Sequence, residues 1–181
     1  MTQDGPYPTI ERWVIPADAL TATLRGVGLA GQRGVESGAL WLGRRGWRSI
    51  VSAVVLPRGK GVVELPQRWQ VSPEVYGVVS RWASPRSLVL LAMVHIHGNG
   101  DVGMSWSDRN RVVQVPGMLS IIIGNSGTDE DHSDWGWYVY GDGDYRPLNK
   151  AERLKRIVVT TDSHATVWVA DDATVAEGAR E

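Results

Sequence analysis

The sequence contains no cysteine among its 181 residues. Disulfides, cysteine zinc ligands and a cysteine nucleophile are therefore excluded, as is a deaminase-type zinc site, which needs a Pro-Cys-x-x-Cys pair. Phenylalanine is also absent, whereas there are nine tryptophans. The aromatic volume of the core must therefore come from Trp and Tyr, whose polar groups need hydrogen-bond partners.

Long apolar runs and a strong net charge are missing as well. No apolar run reaches membrane-spanning length, and the N-terminal residues lack the basic start and apolar stretch of a secretory signal. The net charge of −1 gives no reason to expect a nucleic acid or an anionic membrane as partner. With 43% hydrophobic and 22% charged residues, the composition is that of an ordinary globular protein. We expect a cytoplasmic protein.

The length suits one domain with a substantial core. Residues 1–9 include two prolines and a glycine and predict a flexible lead-in, whereas residues 171–181 predict a polar tail. Between them, residues 10–170 alternate helical and strand patterns. This alternation predicts an α+β domain, in which a mixed β-sheet is flanked by helices.

Two helices and a late hairpin can be placed from local signals. A helix is predicted from Pro16 to Arg25, and the glycines that follow should end it. A second helix is predicted after Ser72, with Pro73 at its first position. Residues 157–161 and 166–170 are each rich in β-formers and predict two strands of one hairpin.

One short stretch concentrates the residues that can carry chemistry. The apolar segment from Val89 to Val94 predicts a buried strand, and His95 and His97 follow it. Side chains two apart on a strand point the same way, so both imidazoles should enter one pocket. After a glycine-rich turn, Ser105 and Asp108 are three residues apart, on one face of a helical turn.

Two imidazoles and a nearby carboxylate are three suitable protein ligands for zinc. A fourth position would remain open for water, which is typical of a catalytic zinc site. Other interpretations of the parts remain open. His-x-His on a strand can be two packed or exposed imidazoles, and Ser-x-x-Asp is also a capping-box pattern at the start of a helix.

The spacing resembles the signature of the JAMM (JAB or MPN-plus) metallopeptidases: a distant Glu, then His-x-His, seven residues, Ser, two residues and Asp. Glu36, in the segment Gly34–Gly43, stands where the family has its glutamate. The order of elements also fits from about Trp13 to Leu148. One departure is that the family usually has Pro directly after the second His, where this chain has Gly98.

The resemblance implies a fold, a metal and a role for each residue. The fold would be the cytidine-deaminase-like sandwich of JAB/MPN domains. One Zn²⁺ would be bound by His95, His97 and Asp108. Glu36 would act as the general base, and Ser105 would stabilise the oxyanion.

The resemblance also implies a substrate class, the amide bond at the C-terminal tail of a ubiquitin-like protein. The reaction would be deconjugation or maturation in a bacterial ubiquitin-like system, some of which act in phage defence. Partners would be that protein or its conjugate, together with activating and conjugating enzymes. Two alternatives remain: hydrolysis at the tail of a sulfur-carrier protein, and a non-catalytic MPN scaffold.

A substrate cleft can be predicted beside the ligands. Gly98, Gly100 and Gly103 would let a glycine-rich tail approach closely, and Trp106 would form a wall of the groove. The tail would pair with a sheet edge, which is the simplest way to satisfy an extended backbone. We expect residues 118–124 to supply that edge.

Overall fold

The computed structural model describes residues 10–171. The predicted lead-in, residues 1–9, and all but the first residue of the predicted tail lie outside the described residues. No helix within residues 10–171 is long and apolar enough to cross a membrane.

Helices and strands alternate along the described chain. In order they are β1 Arg12–Pro16, α1 Ala17–Gln32, β2 Gly38–Arg44, β3 Arg48–Pro57, β4 Val62–Leu65, β5 Arg68–Val71, α2 Pro73–Ala83, β6 Val89–Ile96, α3 Trp106–Arg111, β7 Leu119–Ile123, β8 Gly136–Gly141, β9 Asp144–Pro147, α4 Lys150–Arg156, β10 Ile157–Thr160 and β11 Thr166–Ala170. Short 3₁₀ turns cover Ser84–Arg86 and Asn125–Gly127.

The main sheet has nine strands with the order β10-β1-β3-β2-β6-β7-β8-β9, and β11 pairs with β3. Parallel and antiparallel pairs are mixed: β6 is antiparallel to β2 and parallel to β7. Strands β4 and β5 form a separate antiparallel hairpin. The predicted α+β class, a mixed sheet with flanking helices, is confirmed.

The two long helices cover opposite faces of the sheet, because successive residues of a strand point to opposite sides. On β2, Trp41 packs in the cluster that contains Val27 of α1. Its neighbour Leu40 packs in the cluster that contains Val75 of α2. The result is a three-layer arrangement, with buried apolar side chains on both faces of the sheet.

The prediction for the end of α1 was wrong: the helix continues past Gly26 to Gln32. The first glycine is a packing position, since a Cβ on Gly26 would lie 2.5 Å from the side chain of Leu56. The chain turns away two residues after the helix, at Gly34, which has φ +72°. The N–H of Val35 bonds to the carbonyl of Ala30 and that of Gly34 to Gly31, which is the Schellman pattern.

The predicted late hairpin was also wrong, although both of its strands exist. β10 pairs with β1 and β11 with β3, both in parallel. β1 covers only residues 48–50 of β3, so β11 can occupy the rest of the same edge, along residues 53–57. The connection passes the start of α1, where Asp18 accepts the N–H of Ala165 at 3.2 Å.

Most buried tryptophans find the polar partners that their N–H groups require. Trp41 donates to Thr23 Oγ1 at 2.8 Å, and Trp135 donates to a main-chain carbonyl, also at 2.8 Å. Within the described residues the buried indole nitrogens of Trp13 and Trp69 have no hydrogen-bond partner. Trp69 lies beside the candidate site.

Candidate metal centre

The two predicted histidines are placed by β6. His95 is 3% exposed and shares a face of the strand with Met93, which packs against the α2 side of the sheet. β6 ends at Ile96, but the N–H of His97 still bonds to the carbonyl of Ile123 at 2.9 Å. This extra bond continues the strand by one residue, so both imidazoles leave the sheet on one side.

His95, His97 and Asp108 converge on one point and could hold a metal ion. The two Nε2 atoms are 3.2 Å apart, and the carboxylate oxygens lie 3.4 Å from His95 Nε2 and 3.5 Å from His97 Nε2. A tetrahedral zinc with ligands at about 2.0–2.1 Å would separate its ligand atoms by about 3.3–3.4 Å. The donor set and its spacing therefore fit such an ion.

The loop after β6 orients His97. Nδ1 of this ring lies 2.9 Å from the main-chain carbonyl of Asp101, so it carries the hydrogen and leaves Nε2 free for a metal. The Asp101 carboxylate accepts the N–H of Gly103 at 2.7 Å, and the Asn99 side chain accepts the N–H of Asp101 at 3.2 Å. These polar contacts hold the Asp101 carbonyl in place, and that carbonyl orients the His97 ring.

Asp108 is oriented by a capping box at the start of α3. Ser105 Oγ accepts the Asp108 N–H at 3.1 Å, and Asp108 Oδ2 accepts the Ser105 N–H at 2.8 Å. The capping-box interpretation of Ser-x-x-Asp is confirmed, and the same box places the Asp108 carboxylate beside the two histidines.

The ionisation of the cluster suits a cation. Burial alone would raise the pKa of Asp108, but hydrogen bonds from His95 and His97 outweigh it and lower that pKa. Burial opposes the charged form of His97, yet its pKa is raised by the hydrogen bond and the charge of Asp108 and by the charge of Glu36. The site thus presents an ionised carboxylate, whose negative charge favours positive charge beside it.

Glu36 lies in the short connection between the end of α1 and β2. Its N–H bonds to the carbonyl of Leu65 in β4 at 2.9 Å, and its side chain is buried, with the residue 8% exposed. Gly38, which begins β2, pairs directly with His95 on β6. Strand pairing therefore brings a residue 59 positions away in sequence next to the cluster.

The environment of Glu36 suits proton transfer near neutral pH. Burial raises its pKa to about 7, and the negative charge of Asp108 adds to this. The charge of His97 and a hydrogen bond from the main-chain N–H of Trp69 act in the opposite direction. A general base is most effective when its pKa lies near the working pH.

The sequence matches no protein-family profile and none of the curated proteins. Solved structures do match. A solution structure of a Desulfitobacterium hafniense protein is 15% identical, with a TM-score of 0.61 over 84% of this chain and 95% of that one. The two proteins share a fold. The crystal structure of a JAB1/MPN domain protein from Archaeoglobus fulgidus is 13% identical, with a TM-score of 0.47 over 86% and 99% of the two chains.

The predicted substrate cleft needs a correction at its sheet edge. β7, Leu119–Ile123, pairs with β6 on one side and with β8 on the other, so it has no free edge. Local sequence cannot show this, because the β8 partner arrives from 13 residues further along the chain.

The residues of the glycine loop lie as expected, beside the ligands. Gly98, Gly100 and Gly103 are all exposed in the segment that joins His97 to α3. Trp106 is 72% exposed at the first position of α3. Their role in substrate binding stays a prediction, as do the catalytic roles of Glu36 and Ser105.

Trp69, an aromatic residue beside the cluster, was not predicted from the sequence. Its ring lies nearly parallel to that of His95, with 16° between the planes and 6.3 Å between centroids. The signal was the alternation of Arg68, Trp69, Gln70 and Val71, which form β5. The two remaining histidines, His132 and His164, pair with other carboxylates away from the cluster.

Proposed function

We propose that this chain is a zinc-dependent peptidase of the JAMM type, with zinc bound by His95, His97 and Asp108. The observation that carries the proposal is the convergence of these three side chains beside the buried Glu36, whose pKa lies near 7. The same four residues occur in the order and spacing of the JAMM signature. We also propose the JAB/MPN form of the α+β sandwich.

A zinc ion, when bound, would act as a Lewis acid and lower the pKa of a bound water to about 7. Glu36 takes a proton from the attacking water and passes it to the nitrogen of the leaving amine. Ser105 Oγ accepts the N–H of Asp108, which leaves its own hydrogen free to donate to the oxyanion. The products are a carboxylate and an amine, without a covalent enzyme intermediate.

The proposed substrate is the amide or isopeptide bond at the C-terminal tail of a ubiquitin-like protein. The support is the resemblance of the motif, together with the exposed Gly98–Gly103 loop beside the ligands. The biological setting that we propose is deconjugation or maturation in a bacterial ubiquitin-like system, with phage defence as one such setting. Activating and conjugating enzymes of that system would be partners.

The test uses zinc-loaded protein and a ubiquitin-like protein fused through a glycine-rich tail to a reporter. We expect cleavage at the end of the tail. Glu36→Gln is the matched variant: it should keep its zinc and lose about 10²- to 10⁴-fold in rate, because it lacks the positioned base. A zinc-loaded wild type that leaves both this fusion and a sulfur-carrier fusion intact would contradict a peptidase.

A further inference from the structure

One residue of the β4–β5 hairpin, Trp69, lies next to both Glu36 and His95. The main-chain N–H of Trp69 bonds to the Glu36 carboxylate. The indole ring of Trp69 lies nearly parallel to the His95 imidazole, at a separation within the range of offset stacking. Trp69 therefore contacts both the proposed base and one proposed ligand.

A glycine on the neighbouring strand makes room for this ring. Gly38 pairs with His95 across β2 and β6. A Cβ at position 38 would lie 2.7 Å from two carbons of the Trp69 ring, closer than real side chains approach. The indole thus lies over the glycine and reaches the ligand on the next strand.

The hairpin that carries Trp69 is fixed to the body of the domain by a charged network. Ser37, which is buried, donates to Glu64 Oε1 at 2.5 Å. Arg58 pairs with the same carboxylate at 3.4 Å and donates to the carbonyl of Gly26 at 2.7 Å. Both partners anchor β4, so the position of Trp69 is set by the fold.

The two histidine ligands are held in different ways. The ring of His97 is oriented by a hydrogen bond from Nδ1 to the Asp101 carbonyl. The ring of His95 lies instead nearly parallel to that of Trp69, with 6.3 Å between the centroids. Groups that orient metal ligands typically affect metal affinity or activity about 10- to 100-fold when changed.

We infer that Trp69 is a positioning residue of the metal centre: its ring sets the plane of the His95 imidazole, and its main chain holds the Glu36 carboxylate. The inference rests on the proposed metal site. It does not depend on which substrate is cleaved, because its main readout is the binding of the metal itself.

The test compares Trp69→Leu with Trp168→Leu, measuring zinc affinity by competition with a chromophoric chelator. Both tryptophans are partly buried, and Trp168 stacks on Trp82 at 4.9 Å, away from the ligands. We expect Trp69→Leu to weaken zinc binding about 10- to 100-fold and to change the visible spectrum of the Co²⁺-substituted protein. Trp168→Leu should leave both unchanged.

A second substitution separates the ring from its polar group. Trp69→Phe keeps an aromatic face, and it loses no hydrogen bond, because the indole nitrogen has no partner within the described residues. We expect it to fold and to bind zinc within about threefold of the wild type. Trp69→Met, which fills the space without a planar ring, should resemble Trp69→Leu and replaces it if the leucine variant does not fold.

Three results would overturn the inference. They are wild-type zinc affinity and Co²⁺ spectrum in the Leu or Met variant, an equal loss in Trp168→Leu, and a wild type that binds no zinc. A wild type that binds zinc but hydrolyses no tail would contradict the proposed function alone. In that case the difference between Trp69→Leu and Trp168→Leu would still support the role of Trp69.

Discussion

The candidate site and the His164–Asp18 pair each bring an imidazole next to a carboxylate, and the shorter distance is not at the candidate site. His164 Nδ1 lies 2.9 Å from Asp18 Oδ2, whereas the oxygens of Asp108 lie 3.4 and 3.5 Å from His95 and His97. The His164 side chain is 86% exposed and has a single carboxylate partner. Short distance alone therefore does not mark a metal site.

The two sites differ in how many side chains converge, in how buried those side chains are and in the hydrogen bonds that orient them. At the candidate metal centre two rings and a carboxylate share one point, the Asp101 carbonyl orients His97 and the Ser105 cap orients Asp108. At the Asp18 pair the carboxylate also accepts the Ala165 N–H, which ties a connection to the start of α1. The first arrangement suits a cation, and the second is explained by the fold.

The largest expected difference is in metal content. Asp108→Ala should lose stoichiometric zinc, because two imidazoles remain where three ligands are needed. Asp18→Ala, the matched change at the exposed pair, should bind as much zinc as the wild type. Elemental analysis of both purified variants measures this, and full zinc content in Asp108→Ala would refute the ligand assignment.

A smaller effect is expected in the glycine loop. Gly100→Val should slow cleavage of a ubiquitin-like fusion about 5- to 50-fold, because a side chain there hinders close approach of the tail. The loop is exposed, so zinc content and melting temperature should stay near their wild-type values. Gly141→Val, at the last position of β8, is the control, because a Cβ there meets nothing within 4 Å. Equal rates in the wild type and Gly100→Val would remove this loop from the cleft.

The free energy of unfolding should depend on the ionisation of Glu36, which burial makes unfavourable. The pKa of Glu36 is raised from 4.5 to about 7 in the folded protein. Ionisation of Glu36 therefore does not change the free energy of unfolding well below pH 4.5, and it lowers that free energy by the full amount above about pH 7. Glu36→Gln should thus be more stable than the zinc-free wild type at pH 8 by about 1–2 kcal/mol, a value discounted from about 1.4 kcal/mol per pKa unit.

This difference should fall to about 0.4 kcal/mol near pH 4.5, where the wild-type side chain is neutral in the folded state and about half ionised in the unfolded state. Urea unfolding with a chelator present, at both pH values, provides the measurement. Equal stabilities at pH 8 would mean that the Glu36 carboxylate is well solvated.

The smallest expected effect belongs to the exposed pair. His164→Ala should change the free energy of unfolding by less than about 1 kcal/mol, because exposed ion pairs contribute little. Zinc content and hydrolysis should not change. A loss of zinc in this variant would break the distinction between the two imidazole–carboxylate sites.

The convergence of His95, His97 and Asp108 could be predicted from the sequence because its parts are local. His95 and His97 are two apart on one strand, and Ser105 and Asp108 form one helix cap, so side-chain periodicity is enough to orient them. Glu36 required the resemblance, since its distance to the cluster is closed only by the pairing of β2 with β6.

The failed predictions concern packing between distant segments. The glycines of α1 predict the end of a helix, but Gly26 makes room for Leu56 of β3. β7 was expected at an edge, but β8 covers it. Trp69 has an ordinary strand context in sequence and gains its importance only where the hairpin meets His95. Such contacts depend on tertiary arrangement, which local patterns do not encode.

The most direct test is elemental analysis of wild-type protein purified without chelator, with hydrolysis of a ubiquitin-like fusion assayed on the same sample. We predict one zinc per chain and cleavage at the end of the tail, both lost in a chelator and both restored by added zinc. A zinc content near zero that added zinc cannot raise would contradict a metal centre at His95, His97 and Asp108.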